Sequence, residues 1–403
     1  MYSSNSIRHC AAPRGIFRGN SNTDEQIQTG HAEKNTGNTE GIQNKKSWQR
    51  SFLCRKVYFK RRVANRTRKC ATQGTIIRVN VAGKQKGVNI FTFSISLTFT
   101  GMTTAREQLL LFITTPLYLI VIGLEIFLSK LRQQNTYTLK DTAQNIYFML
   151  LNGGIDLLFR AVYIGFILTF FYNHRFVEGI KIPWLYWIIL LLFEDFMYYW
   201  LHRVDHMVRF FWATHVTHHS SSQFNLTVGF RSSILEPLYR FVYFIPIALA
   251  GFQPIDIAFI YAITQTWGIL VHTEKIKKLG LLEYIFVTPS HHRVHHGSNP
   301  KYLDKNLGMF LIIWDKLFGT FQPELSADEY QPIKYGITKP LEKEDPVTIV
   351  VHEWQNIGKD LHKKGLSFKQ RWKYLFGLPG WSHDGSTQTS EDMRRMENEI
   401  NNR

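Results

Sequence analysis

Three apolar stretches decide what class of fold this chain can adopt. Residues 108–129 (QLLLFITTPLYLIVIGLEIFLS), 146–172 and 183–201 (PWLYWIILLLFEDFMYYWL) are long enough to cross, or nearly cross, a hydrocarbon layer of roughly 30 Å as helices. Lipid offers backbone N–H and C=O groups no partner, so a spanning segment must bond to itself, and the chain reads as an all-α, polytopic membrane protein. The third stretch opens on Pro183, which suits a first helical turn, and its tryptophans suit an interface. Two further apolar segments, 238–252 and 255–271, are split by GFQP, and each is short for a span. They predict a helical hairpin. In the second span Asp156 and Arg160 stand at i and i+4. Burying either charge alone would cost roughly 3 kcal/mol on insertion scales, so the two are expected to face the bundle interior and pair.

The third span runs directly into histidine. Nine of the chain's 16 histidines lie in three clusters, HRVDH (His202, His206), HVTHH (His215, His218, His219) and HHRVHH (His291, His292, His295, His296). Positions i, i+3 and i+4 share a helix face, so each cluster can aim two or three imidazoles at one point. So many neutral imidazoles with no cysteine nearby suit iron, zinc or copper, and they exceed what one four-coordinate ion needs. A two-metal site follows. It is expected in a cytosolic helical cap, because Lys130, Arg132 and Lys140 in the first loop and Arg203 and Arg209 after the third span favour that side. Asp195 lies about two helical turns before His202 and three before His206, on the same face, with two readings: it holds an imidazole tautomer, or it bonds to Tyr199 or to another helix. The isolated His174, His352, His362 and His383 read as surface residues.

Taken in order, the three boxes and the flanking text TEKIKKLGLLEYIFVTPSHHRVHHGSNPKYLDKN and IIWDKLFGTF resemble the fatty acid hydroxylase/sterol desaturase superfamily of membrane di-iron oxygenases. The likeness covers about residues 193–321 and is greatest to the alkylglycerol monooxygenase branch and its bacterial relatives. It departs at Leu307 and Met309, where that branch is expected to carry an aromatic residue and glycine. The resemblance implies two iron ions held by His202, His206, His215, His218, His219, His292, His295 and His296, with His272 joining from the hairpin, His291 unassigned and Asn225 lining the site. It implies O2-dependent hydroxylation or desaturation of a lipid C–H bond. The carbon next to the ether oxygen of an alkylglycerol lipid is one target; sterol, carotenoid and fatty acyl lipids are alternatives. The sequence shows no glycine-rich dinucleotide fingerprint, haem attachment motif or iron–sulfur cysteines, so a separate reductase or a reduced pterin is the implied electron donor.

Composition divides the chain into two unlike parts. Of 48 Lys and Arg against 31 Asp and Glu, residues 1–100 hold 18 against 4, so the net charge of +17 belongs almost wholly to the first quarter. A nucleic-acid partner is therefore not expected for the rest. Cys10, Cys54 and Cys70 also lie there, leaving no disulfide framework or cysteine zinc site for the apolar portion. Residues 1–101 read as a disordered basic extension outside a working protein that begins near Met102, with an organelle-targeting segment as the alternative. Residues 102–323 read as the membrane-embedded di-iron oxygenase domain and 324–403 as a cytosolic tail. In that tail FKQRWKYLF aligns Phe368, Trp372, Leu375 and Phe376 as a membrane-surface amphipathic helix. A zinc protease is excluded because the sole His-Glu pair, His352-Glu353, meets Asn356 where a second histidine is required. A membrane metal transporter is the non-enzyme alternative, but its ligands belong at mid-span with carboxylates among them, whereas these clusters sit at span ends.

Overall fold

The computed structural model describes residues 105–402 together with a short antiparallel ribbon, β1 (Ile76–Ile77) on β2 (Leu97–Thr98). The chain divides into Met1–Gln73 and Gly74–Arg403, and every described residue belongs to the second unit. Apart from the ribbon, the extension expected over residues 1–101 and the start near Met102 lie outside the described residues. Beyond β1, β2 and two isolated bridges, regular structure among the described residues is helical.

Among the described residues three helices are long and apolar enough to cross a membrane: α1 (Ala105–Leu131), α2 (Leu139–Asn173) and α3 (Pro183–Met207). Thr138 caps α2 by accepting from the Asp141 amide at 3.2 Å, and residues Tyr163–Leu168 within α2 wind as a π-helix. Pro183 opens α3 at its first turn. The burial pattern of α1 is inverted relative to a water-soluble helix. Phe112 and Leu119 are 79% and 70% exposed while Glu107 and Glu125 are 3% and 4% exposed. Water would reward the opposite arrangement; hydrocarbon rewards this one, because apolar side chains cost nothing against lipid and carboxylates need protein partners.

Those partners form a network across the spans. Asp156 accepts from Arg160 Nη2 at 3.0 Å and from the Tyr163 hydroxyl at 3.2 Å, and it also pairs with Arg240. Arg160 reaches on to Glu107 of α1 at 3.0 Å. The expected Asp156–Arg160 pair is present, and it ties α1, α2 and the start of the hairpin together.

The hairpin consists of α5 (Phe241–Leu249) and α6 (Pro254–Leu270). Its turn needs glycine at 251, where φ is +89° and a Cβ would lie 2.6 Å from the Val177 carbonyl oxygen. A core of Leu168, Leu190, Phe244, Ile247, Ile257 and Ile260 packs the hairpin against α2 and α3. The remaining elements form a cap at the end of α3: α4 (Arg209–His219), α7 (Pro289–His295) and α8 (Ile313–Phe318). The tail contributes α9 (Pro346–Leu361), α10 (Phe368–Phe376) and α11 (Ser390–Asn401). On α10 Phe368 and Trp372 are exposed, as an interfacial helix requires, but Phe376 turns inward and packs on Phe210 with ring centroids 5.8 Å apart.

Candidate metal centre

Three short structural events aim the histidines. Helix α3 carries His202 and His206 in its last turns and stops where Val208 is extended, so α4 turns back and brings His215, His218 and His219 over them. His272 follows the end of α6. Helix α7 presents His292 and His295, with His296 as its C-cap.

The nine imidazoles fall into two groups. His202, His206, His215, His219 and His295 bring one ring nitrogen each within 4.8 Å of one another, and His218, His272, His292 and His296 do the same. The clusters interleave because residues four apart on a helix diverge by about 40° and adjacent ones by about 100°. His215 and His219 therefore share the first group while His218 turns to the second; His292 and His296 share the second while His295 turns to the first. His291 joins neither. Its Nδ1 accepts from the Thr288 amide at 3.3 Å and closes a capping box on α7.

Hydrogen bonds on the far ring nitrogens fix the tautomers. A carbonyl can only accept, so an Nδ1 beside one must carry the proton, leaving a bare Nε2 lone pair. That holds for His202 on Leu307 O (2.8 Å), His218 on Arg231 O (3.0 Å), His272 on Gly268 O (2.7 Å) and His295 on Lys305 O (3.0 Å). His206 Nδ1 faces Asp304 Oδ1 at 3.2 Å and His215 Nδ1 lies 3.7 Å from Asp205 Oδ2. The inward nitrogens then crowd. His202 and His215 Nε2 are 3.1 Å apart, and His272 Nε2 lies 2.9 Å from His292 Nε2 and 3.2 Å from His296 Nε2. The Nε2 atoms of His206, His219 and His295 are buried without a hydrogen-bond partner, an arrangement that costs about 1–3 kcal/mol per group. A cation removes both penalties, since nitrogens about 2.1 Å from one ion lie roughly 3 Å from each other. The residues present therefore fit two metal ions, one per group.

One loop governs the first group. Asp304, Lys305 and Leu307 accept from His206, His295 and His202 respectively, so three of the five rings are set by four consecutive residues. The loop is backbone-strained at Asp304 and Asn306, whose φ values are +55° and +53°, and it is held from beneath. Asp315 accepts from the Leu307 and Gly308 amides at 2.7 and 2.8 Å. Asp195 accepts from the Phe310 and Leu311 amides at 2.9 and 3.1 Å and from Trp314 Nε1 at 2.9 Å. Asp195 thus holds the loop, not an imidazole, because the backbone amides reach its carboxylate first. Asn225 is likewise turned elsewhere: it donates to Thr136 O at 2.6 Å and accepts from Thr227 N at 3.0 Å, while its neighbour Phe224 stacks on His272 at 5.5 Å.

Burial, reinforced by repulsion among the rings, pushes His215, His219, His292, His295 and His296 well below the usual histidine range, and burial brings His218 down to about 4. The rings are neutral near pH 7, as metal ligation demands. Burial pushes Asp304 upward, but hydrogen bonds from His206 and Ser390 and the charge of Arg394 outweigh it and hold the carboxyl below its ordinary value.

The surroundings are two-sided. Tyr198, Leu201 and Met309 pack together beside His202 on the span side, and the Met309 thioether fills the space over Gly268, where an added Cβ would make it move. On the other side a cavity of about 1320 Å³ opens onto His206, His219, His295 and His296, and its far wall comes from the tail, including Ser390 and Met393. Sequence reading missed Asp304, Asp205 and the loop carbonyls. Asp205 stood inside HRVDH, but a loop aspartate such as Asp304 has no periodicity to reveal it.

Residues 187–320 match the family model described as fatty acid hydroxylase. The chain is 36% identical to the alkylglycerol monooxygenase of Xenopus tropicalis over 227 residues, covering 56% of this chain and 49% of that protein. It is 35% identical to the alkylglycerol monooxygenase of Homo sapiens over 273 residues, covering 66% and 59%. An ornithine lipid hydroxylase of Rhizobium tropici is 33% identical over 132 residues, covering 32% and 40%. The chain thus spans about half the length of the curated relatives it matches. No solved structure matches it.

Proposed function

We propose that this chain, whose residues 187–320 match the fatty acid hydroxylase model, is a multi-pass membrane di-iron oxygenase that hydroxylates a lipid C–H bond. The observation that carries this reading is the sorting of nine buried or half-buried imidazoles into two groups of converging nitrogens at the end of a candidate membrane span. His202, His206, His215, His219 and His295 would hold one iron, and His218, His272, His292 and His296 the other. Two ferrous ions bound there would supply the coordination sites and reducing power that let O2 attack an unactivated C–H bond.

The chain's own residues do the rest. Asp304, Lys305 and Leu307 keep three rings in the ligating tautomer. Tyr198, Leu201 and Met309 give the first group an apolar flank, which limits water access and side reactions. Arg203 and Arg209, with the basic residues of the first loop, favour the cytosolic side for the histidines.

The alkylglycerol monooxygenases among the relatives make the carbon beside a glycerol ether oxygen the substrate position of choice. Sterol and acyl lipids are the competing substrates. Electrons come from a reduced pterin or a separate reductase. Membranes containing the full chain, incubated with alkylglycerol, fatty acyl and sterol lipids with and without reduced pterin, test all of this through O2 consumption and product analysis. Pterin-dependent release of aldehyde from the ether lipid is expected. Failure of every lipid to stimulate O2 uptake, with either electron source, would overturn the reading.

A further inference from the structure

The carboxylate beside His206 has a second partner, and it comes from outside the family domain. Asp304 Oδ1 faces His206 Nδ1 at 3.2 Å, while Asp304 Oδ2 accepts a hydrogen bond from the hydroxyl of Ser390 at the start of α11. Domain residues end at 320; Ser390 lies 70 residues beyond them.

The contact is built, not incidental. Thr389 and Asp392 cap α11 reciprocally, which leaves the Ser390 hydroxyl free of the cap. Along α11 Ser390, Arg394 and Glu397 stand at i, i+4 and i+7, one face of a helix. Arg394 Nη1 donates to Leu303 O at 2.8 Å, the carbonyl just before Asp304, and Glu397 accepts from the Tyr330 hydroxyl at 2.7 Å. The start of α4 is anchored to the same tail, since the Arg209 amide donates to Gly377 O at 2.9 Å and its guanidinium reaches Glu353 and Asp360, each at 2.7 Å. Tail residues thereby also wall the cavity that opens onto His206.

We infer that Ser390 and Asp304 are positioning residues for the five-histidine group: Ser390 locks the Asp304 carboxylate, and Asp304 locks the His206 ring with Nε2 aimed at the ion. The polar face of α11 is thus a working part of the metal centre, although it lies outside the family domain. Asp304 has a φ of +55°, a left-handed conformation that aspartate tolerates better than most residues, and its two carboxylate oxygens are held separately by His206 and Ser390. Partners of this kind change metal affinity by roughly 10–100-fold when removed.

This inference rests on the two-metal reading above, and the test separates the two. Full-length protein in detergent, stripped and reloaded with cobalt(II), is challenged with a chelator, and metal release is followed by visible absorption and elemental analysis. The wild type should hold two equivalents. Ser390→Ala should release one of them about tenfold faster and the other at the wild-type rate, Ser390→Thr should restore the slow release, and Tyr330→Phe, which removes a neighbouring bond to α11 without touching Asp304, should behave as wild type. Ser390→Ala releasing both equivalents at wild-type rates, or Tyr330→Phe reproducing its effect, overturns the inference alone. A wild type that holds no cobalt overturns the two-metal reading and this inference with it.

Discussion

Replacing Asp195 separates its structural duty from the duty its sequence position suggested. The carboxylate is fully buried and accepts three hydrogen bonds, from Phe310 N, Leu311 N and Trp314 Nε1. Asp195→Ala leaves three donors without partners, at about 1–3 kcal/mol each. Removing the charge also removes its desolvation cost, and water or local relaxation recovers part of the rest, so a net loss of about 3 kcal/mol is expected. Asp195→Asn keeps one acceptor oxygen and turns an amide N–H₂ toward a donor, which should cost about 1–2 kcal/mol. Stability in detergent should therefore rank wild type above Asn above Ala, measured as the temperature at which the monodisperse peak is lost on size exclusion. Metal release should quicken in the same order, because the loop that carries Leu307 O loosens. An Asp195→Ala protein of unchanged stability that had nonetheless lost metal would refute the reasoning, since it would mean the carboxylate acts on an imidazole directly.

Two further outcomes follow from buried charge. Asp156→Ala removes the carboxylate paired with Arg240, whose side chain is 6% exposed and keeps a hydrogen bond to the Tyr261 hydroxyl, and should cost about 3 kcal/mol; extraction yields of monodisperse protein comparable to wild type would contradict the network. The depressed values of His215, His219, His292, His295 and His296 set a pH dependence. The unfolded chain binds protons at these rings near pH 6.5 and the folded chain resists until well below, so the metal-free protein should lose stability steadily as pH falls from about 6.5. A thermal midpoint that stays flat or rises between pH 7 and 5 would show that the rings are not buried together.

Much of the membrane portion was legible because lipid imposes simple rules. The three spans, the hairpin divided at Gly251 and the Asp156–Arg160 pair all follow from length, hydropathy and the cost of an unpaired charge. The histidine clusters were legible as a set able to hold metal, and the structure gathers them with His272 into two groups that could do so. Helical period separates His218 from His215 and His219, and His295 from His292 and His296; it does not say which of these sets meet, because that depends on where α4 and α7 lie relative to each other. The choice between an imidazole and a structural partner for Asp195 was not legible, because sharing a helix face with His202 says nothing about the loop amides that arrive from 115 residues away. Asp304 and Ser390, 86 residues apart, belong to a loop and a helix start, where no periodic signal exists.

The central claim is two metal sites made from interleaved histidines, and adjacent residues test it most directly. His295 belongs to one group and His296 to the other. Full-length protein reconstituted anaerobically with ferrous iron should hold two equivalents per chain with two distinct Mössbauer signatures. His295→Ala and His296→Ala should each weaken a different one of the two and leave its companion in place. A wild type that binds a single equivalent, or two variants that lose the same signature, would contradict the account.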